Sequence, residues 1–143
     1  MRSIFHKISY LQYPLILAAV YYIALFVIAL EDGRELHYVN TALVFCGIAI
    51  SLSTLQDTTT TQNEISRKIW EHPVKGKIFL ALIGVYAFAF MAFGLVGFVR
   101  STGGMIEDIS LGLVVLGIGM VGMLKSAAEM FENHRLDKRT DSQ

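Results

Sequence analysis

The sequence predicts an all-α membrane protein, a bundle of four transmembrane helices with a short cytoplasmic amphipathic helix between the second and third spans. Apolar residues make up 54% of the 143-residue chain, a larger share than soluble domains usually contain. Four long apolar segments are separated by polar connections. No charged residue or histidine lies deep within these segments, whereas a soluble amphipathic helix would place polar residues every few positions.

The first predicted span is Gln12–Leu30, which follows the basic residues Arg2 and Lys7. A secretory signal begins in a similar way, but its apolar core is shorter and it ends in an A-x-A cleavage site. Here the apolar run is long and is followed by the sequence EDG. We therefore expect a retained membrane span and not a cleaved leader.

The other predicted spans are Val39–Leu55, Lys77–Val99 and Ile106–Leu124. The four segments contain 19, 17, 23 and 19 residues in chain order. A helix needs about 20 residues to cross a hydrocarbon layer of about 30 Å, so each segment has, or nearly has, the length of one crossing. We expect residues 1–143 to form a single membrane domain, with Asn40 and Thr41 as a cap at the start of the second span.

Residues 56–76 form a polar connection that we expect to contain a short helix. The sequence TQNE, residues 61–64, has the spacing of a capping box at a helix start. The apolar residues Ile65, Ile69 and Trp70 then fall on one helical face. Two interpretations stay open. The helix either lies on the inner leaflet and orients the third span, or it uses these three residues to dock a partner.

The C-terminal tail, residues 125–143, begins as a continuation of the fourth span. Leu124, Ala128 and Phe131 extend an apolar helical face beyond the predicted span. Basic residues follow at the end of the chain, and they either contact anionic lipid or form a solvated surface. We expect the helix to extend into this tail.

The distribution of basic residues predicts the orientation. Ten of the 12 lysine and arginine residues lie in the N-terminal tail, the connection 56–76 with Lys77, and the C-terminal tail. With four spans these three regions share one side of the membrane, and the opposite side has only Arg34 and Arg100. Lysine and arginine accumulate on the cytoplasmic side. We therefore expect both termini in the cytoplasm, with a bacterial inner membrane as the location.

Small residues mark the positions at which transmembrane helices approach each other. In the fourth span they form one stripe at helical spacing, which consists of Gly112, Gly119, Gly122 and Ser126. In the third span the corresponding stripe consists of Gly84, Ala87, Met91 and Gly94. We predict that both stripes face other helices closely. The simplest pairing is the third span against the fourth, within one chain or between chains.

No catalytic, cofactor or metal site is predicted. The four histidines lie near or beyond the span ends, whereas a transmembrane metal or haem site needs facing ligands at similar depth. The hydroxyl groups of Tyr22, Tyr86, Ser51 and Ser53 either form a network across the bundle or bond locally. The net charge of zero argues against nucleic-acid binding. Because the sequence contains no candidate catalytic groups, we expect a protein that is not an enzyme.

Two functions remain for such a chain. The first is a multi-pass membrane protein that acts by association with a membrane-protein partner or a second copy, through its glycine-lined spans and its cytoplasmic face. The second is a subunit of an oligomeric channel or carrier for a small solute. The absence of ionisable groups within the spans argues against proton-coupled transport, which usually depends on such a group.

Overall fold

The computed structural model describes residues 8–29, 35–55, 64–100 and 105–136. Within these ranges the regular structure is helical and no strand is present. The described ranges contain the helices α1 (Gln12–Ile28), α2 (Glu35–Ser53), α3 (Glu64–Glu71), α4 (Pro73–Arg100) and α5 (Met105–His134).

Three of these helices are long and apolar enough to span a membrane. The qualifying segments are Leu36–Ser53 with 18 residues, Pro73–Arg100 with 28 and Glu107–His134 with 28. Much of their apolar surface is exposed, including Phe88 at 65%. A polypeptide with this much exposed apolar surface on long helices needs lipid around it. The chain is therefore a helical membrane protein.

The prediction of four helices of spanning length is confirmed for three of them and corrected at α1. We predicted a span over Gln12–Leu30, but the helix contains 17 residues and ends at Ile28. Ala29 leaves helical geometry at φ −88° and ψ 7°, and its N–H bonds the carbonyl oxygen of Leu25 to close the last turn. At 1.5 Å per residue the helix is about 26 Å long. The described residues thus contain three helices of spanning length, not four.

The other helix ends also differ from the sequence prediction. Helix α4 begins at Pro73, four residues before the predicted Lys77, because proline suits a first helical position where no N–H is required. Helix α2 begins at Glu35, four residues before Val39. Helix α5 continues to His134, which confirms the expectation that the helix of the fourth predicted span extends into the tail.

The four long helices form an open row in the order α1, α2, α5, α4. Helix α1 packs on α2, α2 packs on α5, and α5 packs on α4. No comparable contact joins α1 to α4 or α5, or α2 to α4, within the described residues. The predicted bundle is corrected in this respect, since the row does not close on itself.

Helices α2 and α5 are parallel. Asn40 contacts Gly112 and Thr54 contacts Ser126, and both pairs are 72 residues apart. Gly47 and Gly119 touch with the same separation. A constant separation along the whole contact requires that the two helices run in the same direction.

Helices α4 and α5 are antiparallel. The contacts of α5 move from Gly94 through Gly84 to Gly76 of α4 as the chain runs from Val114 to Phe131. The C-terminal ends of α2 and α5, the N-terminal end of α4, and α3 therefore lie at one end of the row. We call this the inner end.

Candidate functional site

The closest approach between helices lies between α2 and α5, which we call the glycine seam. A Cβ atom added to Gly47 would lie 2.6 Å from the carbonyl carbon and oxygen of Val115. A Cβ atom added to Gly119 would overlap the carbonyl oxygen of Gly47. The two backbones are thus in direct contact. Close contact of this kind maximises van der Waals packing, which drives helix association in lipid.

Interhelical hydrogen bonds hold both ends of the glycine seam. The Gly112 N–H donates to Oδ1 of Asn40 at 2.6 Å. At the inner end, Oγ of Ser126 donates to the carbonyl oxygen of Thr54 at 3.2 Å. Asn40, expected to be a helix cap, therefore bonds a neighbouring helix. Hydrogen bonds across transmembrane helices contribute about 0.6 kcal/mol each, up to about 1.7.

The small-residue stripe of the fourth span faces α2 and not α4. Gly112 packs against Leu43, Gly119 against Gly47, and a Cβ on Gly122 would lie 3.4 Å from Cγ2 of Thr54. The expected stripe-against-stripe pairing with the third span is therefore wrong. Helix α5 has neighbours on two sides, and this stripe lies on the side of α2.

Helix α4 packs on a different face of α5. A Cβ on Gly94 would lie 2.6 Å from Cγ2 of Val114 and 2.8 Å from the carbonyl oxygen of Ser110. Ala87 is fully buried, and its carbonyl oxygen is 3.0 Å from a Cβ built on Gly117. Gly84 packs less tightly, with Cδ2 of Leu124 at 3.7 Å. The structure thus places Gly94 and Ala87 in close contact and Gly84 in ordinary contact.

Three contact residues were missed by the sequence reasoning. Gly47 and Gly117 both lie within 3.0 Å of a neighbouring backbone when a Cβ is added, and Gly76 packs against the ring of Phe131. Other small residues surround Gly47 in α2, and they were the signal that could have identified it as a contact position. Gly117 falls outside the stripe on the other side of α5, so a search for one stripe per helix overlooked it.

A buried apolar group, the inner cluster, joins α3, α4 and α5 at the inner end. It consists of Trp70, Ile83, Ala127 and Phe131. Trp70 is 6% exposed, and its ring meets the ring of Phe79 edge-on at 5.4 Å. Ile69 packs against the cluster from the side. Trp70 and Ile69 thus attach α3 to the row.

A backbone hydrogen bond adds to this attachment. The N–H of Leu136 donates to the carbonyl oxygen of Glu71 at 3.3 Å, so the end of α5 holds the end of α3. Since the indole of Trp70 is buried, this residue is not exposed for docking a partner, which is one of the two interpretations of α3. The Ile65 side chain and the start of the expected capping box lie outside the described residues.

The hydroxyl groups of the two serines in α2 are satisfied within their own helix. The hydroxyls of Ser51 and Ser53 donate to the carbonyl oxygens of Gly47 and Ile50 at 3.0 and 2.7 Å. Tyr22 stacks on Phe45 at 5.6 Å between ring centroids. These contacts are local or aromatic, and they do not form the Tyr–Ser network that was one of two expectations.

Within the described ranges no group of three or more histidine, cysteine or acidic side chains is placed to hold a metal ion. His134 lies close to its own helix, with Nδ1 2.9 Å from the carbonyl oxygen of Met130. The features that stand out are therefore packing features, namely the glycine seam and the anchored helix α3. No protein-family model, no curated protein and no solved structure matches the chain.

Proposed function

We propose that this chain is a four-span membrane protein without catalytic activity, which binds a partner protein through its cytoplasmic face. The observation that carries the proposal is the attachment of α3. Its apolar side is buried in the inner cluster through Trp70, while Glu64 and Lys68 on the same helix are exposed. A short helix held in this way presents a fixed polar surface at the inner end.

The charges support the cytoplasmic placement of the inner end. Lys68, Lys75 and Lys77 are exposed there, and Lys125 and Arg135 lie near the end of α5. The opposite end has Arg100 in the last turn of α4 and the acidic residues Glu107 and Asp108 in the first turn of α5, among the described residues. Basic residues near span ends favour the cytoplasmic side.

The proposal includes a crossing by α1 although this helix is short. Its apolar side chains are largely exposed, with Leu17 at 70% and Tyr21 at 61%. A length of 17 residues is at the lower limit for a crossing. A short hydrophobic helix is accommodated by local thinning of the bilayer at a cost of a fraction of a kcal/mol per Å. Exposure to water would cost more than this mismatch.

The surface available to a partner combines α3 with the last turns of α5. Helix α5 contributes an exposed pair, Lys125 and Glu129, with 3.8 Å between Nζ and Oε1. Exposed pairs of this type add little stability to the chain itself. Their mixed charge gives this surface polar contacts for recognition, and complementary charges set specificity and association rate.

The channel alternative receives less support from the geometry. A row one helix thick encloses no path, so a pore would require several copies of the chain. The glycines of the seam are already used by contacts within the chain. The serines of α2 are bonded to their own helix and do not line a polar route.

Site-specific photo-crosslinking in the native membrane tests the proposal. A photoreactive phenylalanine at Lys68 reports on the cytoplasmic surface, and the same group at Leu17 is the matched control because that side chain is 70% exposed on a span. We expect a discrete protein adduct from position 68 and lipid adducts alone from position 17. A purified homo-oligomer that passes small solutes across liposomes, without an adduct from position 68, would support the channel instead.

A further inference from the structure

A shallow apolar groove lies where α3 meets the start of α4. Its lining residues are Ile69, Lys75, Ile78, Phe79 and Leu82. Four of them are apolar, and Lys75 is the only charged one. Ile78 and Leu82 are 57% and 48% exposed, so the groove is open along the outside of α4.

The inner cluster fixes the walls of this groove. Trp70 holds the ring of Phe79 from the inside, edge-on at 5.4 Å, and Phe79 is still 40% exposed on its other side. Ile69, next to Trp70 in α3, forms the opposing wall. The groove is therefore a consequence of the way α3 is attached, and its shape is preformed.

The lining residues of α4 share one helical face, because Ile78, Phe79 and Leu82 follow Lys75 by three, four and seven residues. From Lys75 to Leu82 this face extends about 10 Å at 1.5 Å per residue. Exposed apolar residues continue it toward the middle of the span, with Val85 at 66% and Tyr86 at 55%. One cation thus stands at the inner end of a long apolar track.

The charge of Lys75 is available to a ligand. The ion pairs among the described residues join Lys125 to Glu129 and Arg135 to Glu132, and no described carboxylate lies within ion-pair distance of Lys75. A lysine near the inner end of a span places its ammonium group at the level of the lipid headgroups. The negative partners at that level are lipid phosphates.

We propose that this groove binds one anionic phospholipid. Lys75 pairs with the charged headgroup, and an acyl chain lies along Ile78, Phe79 and Leu82 against Ile69. The site uses Ile69 of α3, and it leaves the exposed residues Glu64 and Lys68 of α3 open. This proposal depends on insertion of the chain in the membrane and not on the proposed binding of a partner protein.

Native mass spectrometry of the purified full chain tests this site. The protein in mild detergent is mixed with equal amounts of dioleoyl phosphatidylglycerol and dioleoyl phosphatidylcholine, which differ in the headgroup alone. We expect the anionic lipid to be retained about fivefold more, since one lysine at an anionic surface contributes about 1 kcal/mol. Lys75→Gln should remove this preference, and Leu82→Trp should reduce retention of both lipids by filling the groove.

Lys125→Gln is the matched control, because Lys125 is 82% exposed near the inner end of α5 and pairs with Glu129 outside the groove. This variant should keep the wild-type preference. Equal retention of the two lipids by the wild type, or the same loss in Lys75→Gln and Lys125→Gln, would overturn the proposal. An unchanged helical circular-dichroism spectrum and melting temperature of each variant show that the fold is kept. If the chain shows no preference for the anionic lipid, the crosslinking result expected at position 68 is unaffected.

Discussion

Gly47 and Gly119 bring the backbones of α2 and α5 into contact, and each side chain larger than hydrogen would separate them. A Cβ on either residue would overlap or approach within 2.6 Å of backbone atoms, which cannot rotate away as the end of a flexible side chain can. Helix association in lipid depends on close packing. A separation of the two backbones therefore removes the neighbouring contacts between α2 and α5 as well. The two glycines are therefore the residues at which the smallest change should have the largest effect.

Gly47→Ala and Gly119→Ala should each lower the free energy of unfolding by about 1–3 kcal/mol, the usual cost of overpacking. Gly84→Ala is the matched control, because its Cβ would meet Leu124 at an ordinary 3.7 Å. Alanine is also the better helix former, so this control should be neutral or stabilising. Titration of the purified variants with a denaturing detergent measures the differences. Equal effects of all three variants would contradict the seam.

Asn40 is the residue that ties α2 to α5 at the end opposite α3. Asn40→Leu removes the acceptor for the Gly112 N–H and should destabilise the chain by about 0.6–1.7 kcal/mol. Thr41→Val is the matched control, because the Thr41 hydroxyl bonds the carbonyl oxygen of His37 in its own helix at 2.9 Å. The same detergent titration applies. A loss no larger than that of Thr41→Val would show that the interhelical bond contributes nothing to stability.

At the scale of the elements, α3 shows how far the sequence can lead. Its existence follows from the periodic spacing of Ile65, Ile69 and Trp70 between two polar stretches. Its partner does not follow, because an amphipathic face fits a lipid surface, another protein or the chain itself. The structure adds that Phe131 and Ala127 of α5 pack with Trp70, and those residues are more than 50 positions away in the sequence.

Trp70→Ala should release α3 from the row while leaving the spans in place. Removing a buried tryptophan from a packed cluster costs about 3–5 kcal/mol, more than a helix of eight residues gains on its own. Hydrogen exchange of the amides of Glu64–Glu71 should become much faster, with little change in α5 before Ala127. Phe88→Ala, at a side chain 65% exposed, is the control. Unchanged protection of α3 in Trp70→Ala would show that the inner cluster does not hold it.

The small-residue stripes illustrate a second limit of the sequence. Spacing identifies the faces of α4 and α5 on which helices pack closely, including Gly94 and Gly119. It does not identify the neighbour that each face meets, because the order of helices in the row depends on all contacts together. Gly119 consequently meets Gly47 of α2, and Gly94 meets Val114 on another face of α5.

At the scale of the whole molecule, the relative directions of the helices in the row constrain how the chain crosses the membrane. Helices α2 and α5 run parallel with a constant separation of 72 residues, and α4 runs against them. Between α2 and α5 the chain crosses the membrane once, as α4, if α3 stays at the inner end. This single crossing explains why α2 and α5 run in the same direction. The long apolar segments were sufficient to predict a helical membrane protein. The length of α1 was not predictable to two residues, and the proposed fourth crossing depends on that helix.

Cysteine accessibility in intact bacterial cells tests the proposed topology most directly. Cys46 is the only cysteine, so Cys46→Ser provides a background in which Ser3→Cys, Lys68→Cys and Asp108→Cys are made one at a time. A membrane-impermeant maleimide should label position 108 in intact cells. It should label positions 3 and 68 only after permeabilisation. Labelling of position 3 in intact cells would show that α1 does not cross, and labelling of position 68 would show that the inner end does not face the cytoplasm.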